Sequence, residues 1–71
     1  MKRRAVSKIR GMYINARGEL FLQFTPEYAH ELETIPVGYT VFEPLQSGYQ
    51  VEGEVSRVTS SGISLIYWRL V

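Results

Sequence analysis

The side chains equipped for chemistry are few. The chain has one histidine, His30, no cysteine and no aspartate, beside seven glutamates and six serines. A serine nucleophile needs a histidine base that is itself held by an acid. His30 has no nucleophile motif near it and sits in Pro26-Glu27-Tyr28-Ala29-His30-Glu31-Leu32-Glu33, a stretch that reads as a short helix. On that helix Glu27, His30 and Glu31 offer two or three nitrogen and oxygen donors, too few for a closed metal site, and read as a solvated acidic face. A carboxylate pair requires one acid desolvated in a cleft, and 71 residues leave little material to build one. The six glycines are scattered singly, so no phosphate-cradling loop is present. The expectation is a chain with no catalytic site, no metal and no cofactor, whose chemistry is recognition.

Charge carries the strongest hint of what is recognised. Residues 1–18 hold Lys2, Arg3, Arg4, Lys8, Arg10 and Arg17 with no acid, a charge of +6. Residues 19–54 hold Glu19, Glu27, Glu31, Glu33, Glu43, Glu52 and Glu54 with no base, a charge of −7; Arg57 and Arg69 return the total to +1. Such segregation favours docking to a partner of opposite charge.

If residues 2–14 run extended, period-two alternation puts Lys2, Arg4, Lys8 and Arg10 on one face, with Val6, Met12 and Ile14. That face is a candidate binding surface. Arg17 at the following turn adds a fifth cation, and Tyr13 and Phe21 supply rings on neighbouring positions, as in the cationic grooves with stacking platforms that bind single-stranded nucleic acid. Four neutralised phosphates give a salt slope of about −3 to −4. The ordinary alternative is cross-strand pairing of Lys8 and Arg10 with Glu52 and Glu54.

The elements that position these residues are those of a small β protein. Short runs rich in Val, Ile, Tyr and Phe are separated by turn residues. The run from Arg4 to Ile14 ends at Asn15-Ala16-Arg17-Gly18, a hairpin connection. The return strand, Glu19 to Phe24, sets Leu20, Leu22 and Phe24 on a core face. Thr25 reads as an N-cap with Pro26 at the first helical position, and Tyr28 and Leu32 fall on the buried side. Pro36 ends the helix. Val37 to Phe42 forms the next strand, closed by Pro44; Gln46-Ser47-Gly48 turns into Tyr49 to Thr59, where Val58 breaks the parity of Val51 and Val55 and Gly53 marks the expected bulge. Ser60-Ser61-Gly62 closes a second hairpin with Ile63 to Val71.

The order β-β-α-β-β-β predicts one mainly β domain over residues 1–71, a small twisted five-stranded barrel or roll of the SH3-like or OB-like size class with one short helix. The segment Gly53 to Leu65 resembles the hairpin of PilZ domains in outline. Arg57 and Thr59 stand where the cyclic-dinucleotide motif of that family carries Asp and Ser, so the chain is not assigned to it.

The last strand departs from alternation. Ile63, Leu65, Tyr67 and Val71 share one parity while Ile66, Trp68 and Leu70 share the other. Both faces are then apolar, and the second needs cover from the helix near Tyr28 and Leu32, from a second copy, or from a partner. Trp68 joins the candidate binding surface on that ground. No apolar run approaches 18 residues, and Ser7, Lys8 and Arg10 interrupt any signal-like segment after the basic start, which predicts a cytoplasmic protein outside the membrane. The functional expectation is a non-enzymatic binding module, acting as a protein-interaction, regulatory or inhibitory domain or by self-association, with nucleic-acid binding through the basic first strand as the alternative.

Overall fold

Leu20, Leu22 and Phe24 alternate inward along one short strand, and around them the rest of the chain is arranged. The computed structural model describes residues 2–3, 9–45 and 47–71, with the backbone alone for Lys2 and Arg3. Its strands are β1 (Lys2–Arg3), β2 (Ile9–Ile14), β3 (Leu20–Phe24), β4 (Thr40–Pro44), β5 (Gln50–Val58) and β6 (Gly62–Leu70). A 3-10 turn, Pro26–Tyr28, runs into a single α-helical turn, α1 (Ala29–Leu32). One sheet contains all six strands in the order β1-β4-β5-β6-β3-β2. Every pairing is antiparallel except the two-residue β1 against β4. The fold is mainly β, with five antiparallel strands in one sheet and one short helix; the sheet is not closed into a barrel.

The core lies on one side of this sheet. Leu20, Leu22 and Phe24 of β3, Val41 of β4, Val51 and Val55 of β5, and Ile63 and Leu65 of β6 are buried together with Leu32 and Ile35. Tyr28 stacks on Phe24, rings 5.1 Å apart and 14° from parallel, so the helical turn caps one end of the core. Thr25 precedes this turn in extended conformation but makes no side-chain cap bond, and its Oγ1 is buried without a hydrogen-bond partner among the described residues. Pro26 alone supplies the helix-starting geometry.

Both hairpins form where the turn residues place them. Asn15 Oδ1 accepts from the backbone N–H groups of Arg17 and Glu19, at 2.9 and 3.0 Å, and Gly18 takes φ 81° to close the turn. Thr59 Oγ1 accepts from Gly62 N at 3.0 Å in the second turn, and Thr59 N donates to Gly62 O at 2.8 Å. The strand expected from Val37 begins later, at Thr40, because Tyr39 N donates to Pro36 O in a turn.

Three register shifts revise the sequence expectations. In β2 the pairing slips between Ile9 and Gly11, which makes Arg10 an extra residue; Ile9 then lies opposite Phe24, Met12 opposite Leu22 and Ile14 opposite Leu20. Met12 and Ile14 thus share the side of Leu22 and Leu20, although both stay exposed on this outermost strand, and the slip at Arg10 interrupts the period-two alternation within β2; Arg4 and Lys8 of the expected basic face lie outside the described residues. In β5 the slip between Val55 and Arg57 makes Ser56 extra, and this returns Val58 to the core side opposite Ile63. In β6 the slip lies opposite Gly53, where Tyr67 is the extra residue, with φ 53° and 83% exposure. Tyr67 swings out and Trp68 turns in. The broken alternation at the chain's end is thus a bulge that returns Trp68 to the core side, while Tyr67, Leu70 and Val71 stay exposed.

Glu43 is fully buried, although its place in the acidic stretch predicts a solvated side chain. Its position in β4 between buried Val41 and the strand end, opposite Val51, puts it on the core side.

Candidate functional site

With the core on one side, the other side of the sheet is free to present side chains to a partner. One row crosses four neighbouring strands there. Tyr13 of β2 lies opposite Phe21 of β3, Phe21 opposite Ser64 of β6, and Ser64 opposite Arg57 of β5. The Tyr13 and Phe21 rings meet edge to face, centroids 5.3 Å apart and 65° between planes, a favourable arrangement for aromatic quadrupoles. Tyr13 is 55% exposed, being on the outermost strand, while Phe21 is half-buried.

The floor between ring and guanidinium is kept low by small residues. An added Cβ on Gly62 would meet Leu22 O and lie 2.7 Å from Phe21 Cζ, so only glycine lets the Phe21 ring rest against the sheet. Ser64 beside it is buried. The result is an open groove of about 780 Å³, walled by Tyr13 and Phe21 on one side and by Arg57 and Thr59 on the other, with Arg17 of the first hairpin at one end and Gln23 along the floor. No carboxylate lines it.

Arg57, turned outward by the β5 bulge, has Glu19 as its acidic neighbour. The carboxylate Oε1 accepts from Asn15 Nδ2 at 3.1 Å and Oε2 from Ser56 Oγ at 3.3 Å, and Arg57 Nη2 stands 3.9 Å from Oε1. Glu19 is thus tied into the hairpin and the β5 bulge, with its side chain only 14% exposed, whereas the Arg57 side chain is 53% exposed. A partly exposed pair at this distance is weak, and the guanidinium is available to an incoming anion.

The candidate residues divide accordingly. Tyr13, Phe21 and Arg17 come together at the groove. Arg10 is exposed in β2 but does not line the groove, and its neighbours are on β3, so it is not paired with Glu52 or Glu54. Glu52 instead accepts from Arg69 Nε at 2.8 Å across β5 and β6. Lys2 is in β1 with only its backbone described, and Arg4 and Lys8 lie outside the described residues. Trp68 is half-buried against the core and donates from Nε1 to Gly18 O at 3.2 Å, which ties β6 to the first hairpin rather than offering the indole to a partner. Arg57 is the groove residue that alternation did not single out. Its signal was the parity break at Val58, which marks the bulge that turns Arg57 outward.

His30 is exposed on α1, and among the described residues no group of three His or Glu side chains is arranged to hold a metal. No helix is long and apolar enough to cross a membrane. Compared with protein-family models, with curated proteins and with solved structures, the chain shows no match. The groove's own geometry therefore carries the functional reading.

Proposed function

We propose that the chain is a non-enzymatic binding module that docks an extended, negatively charged partner on the outer face of β2, β3, β6 and β5. The observation that carries this reading is the row Tyr13, Phe21, Ser64, Arg57 across four strands, in a groove that no carboxylate lines. One exposed ring, one half-buried ring and two guanidiniums along one groove combine apolar contact with attraction for anions, the mixture that distinguishes recognition surfaces from ordinary solvated faces. None of the seven glutamates of the acidic stretch lines the groove: Glu27, Glu31 and Glu33 are on or beside the helical turn, Glu43 is inside, Glu52 pairs with Arg69, Glu54 lies on β5 opposite Thr40 and Ile66, and Glu19 is bonded to Asn15 and Ser56. An acidic protein segment and a nucleic-acid strand both present the required charge, and a regulator that occludes a larger protein would use the first.

The test is an amide chemical-shift titration of the full chain with two short polyanions, an oligodeoxynucleotide and an oligoglutamate. Shifts confined to residues 11–23 and 57–64 with at least one of them support the reading. Shifts centred on the helical turn or on β4, or none with either polymer, refute it.

A further inference from the structure

The groove's chemistry distinguishes between the two anionic partners. Its wall is aromatic, not aliphatic, and a ring face gains little from a carboxylate but stacks on any nucleobase, each of which has a π-face. Its floor beside Phe21 is formed by the small, buried side chain of Ser64. Exposed Gln23 carries an amide, hence both donors and an acceptor, and nucleobase edges carry both as well, whereas carboxylates only accept.

We propose that the groove holds a short stretch of single-stranded nucleic acid. Bases stack on Tyr13 and Phe21, and the phosphates run towards Arg57 and Arg17. This rests on the reading of the same face as the docking surface. From β2 to β5 there are three strand steps, about 14 Å at about 4.8 Å each. At about 3.4 Å per stacked nucleotide that distance takes roughly four nucleotides, the small end of the range for single β-barrel modules. Glu19, fixed by its bonds to Asn15 and Ser56, leaves the Arg57 guanidinium 3.9 Å away and half exposed, available to a phosphate.

The experiment measures fluorescence anisotropy of the full chain with labelled dT12, a labelled duplex of the same length and a labelled twelve-residue oligoglutamate, at about 50 and 200 mM salt. The proposal expects dT12 to bind best, with affinity falling about sevenfold over that salt range, the slope of about −1.4 for two phosphates on a single strand. Tyr13→Ala should weaken binding roughly 5- to 150-fold, Tyr13→Trp should retain it, and Arg57→Gln should roughly halve the slope. Tyr13 is largely exposed, and an unchanged circular-dichroism melt of each variant shows that folding is intact. Oligoglutamate binding that survives Tyr13→Leu would overturn the nucleic-acid proposal and leave the docking surface standing. Binding of dT12 with a slope of −3 or steeper and no dependence on Tyr13 would overturn it too, placing the contacts on cations away from the groove. Silence from all three probes would remove both the proposal and the docking surface.

Discussion

Gly62 has no room for a side chain. A methyl group there meets the Leu22 carbonyl oxygen, which belongs to the backbone of β3, held between β6 and β2, and has nowhere to go, and crowds the Phe21 ring. Gly62→Ala should lower stability by about 2 kcal/mol or more, read as a fall in the urea midpoint, and should loosen the aromatic wall; an unchanged midpoint would mean that the close approach is not real. Tyr67 poses the opposite case. Left-handed backbone costs an ordinary residue roughly 1–2 kcal/mol, and at 83% exposure the ring recovers little by burial. Tyr67→Gly relieves that strain and gives back part of the gain in chain entropy, so a net rise of about 0.5 kcal/mol is expected at unchanged denaturant slope. A loss of stability in this variant would show that the tyrosine side chain makes a contact worth more than the strain.

At the scale of elements, the β5 and β6 hairpin is held by its buried side, not by its charges. Val51, Val55, Ile63 and Leu65 are fully buried, while the Arg69 and Glu52 pair is at the surface. Arg69→Ala should therefore cost under about 1 kcal/mol, whereas Val55→Ala should cost about 2 kcal/mol or more; comparable losses from the two would overturn that ranking. Much of this organisation is legible in the residues. Leu20, Leu22 and Phe24 declare the core face by alternation, and Asn15 to Gly18 and Ser60 to Gly62 declare their turns by chemistry. The bulges are not legible in the same way, since an extra residue has no composition of its own and shows only as a parity break, at Val58 and again at Trp68. Gly53 was the visible sign of the irregularity in β6, but glycine there makes room for Leu65 and Trp68, whose Cβ atoms would both lie 3.1 Å from an added methyl, while the extra residue sits on the facing strand. The shift at Arg10 is of the same kind: it breaks the period-two alternation within Ile9–Ile14 without any mark in residue type. Glu43 was illegible because residue type alone predicts a solvated carboxylate.

For the molecule as a whole, the pairings that close the structure join distant parts of the chain. β3 pairs with β6 and β1 with β4, so the central sheet cannot assemble from neighbouring hairpins alone. The Cα radius of gyration is 10.8 Å, close to the roughly 11 Å expected of a compact chain of this length. Loop closure must precede these long-range contacts, which predicts single-exponential refolding on the millisecond-to-second scale. Trp68 is a suitable reporter, being the one tryptophan and bonded from β6 to the Gly18 carbonyl of the first hairpin. Its stopped-flow fluorescence should follow the joining of those two units, and refolding within microseconds would contradict the topology. The same bond and the half-burial of the indole against its own core predict emission that does not change on dilution; emission that reddens on dilution would point instead to a second copy over β6.

A strand is written in a frame of two, and dropping one letter usually turns every later side chain inside out. The β6 bulge makes an exception. Glu54 faces Ile66 and Glu52 faces Arg69, so of Tyr67 and Trp68 opposite Gly53 only one is needed to fill the ladder. Deleting Tyr67 would leave Trp68 opposite Gly53, Arg69 opposite Glu52 and Leu70 opposite Val51, with the frame intact. That deletion should yield a folded protein, seen as a dispersed amide spectrum, whereas deleting Leu65 two positions earlier should not. Ser56 is an extra letter as well, yet its hydroxyl is tied to Glu19 and to the Ser64 carbonyl. Of these two extra residues Tyr67 is the one that spelling does not require, so within the β5 and β6 hairpin it is β6 that tolerates a change of length more easily.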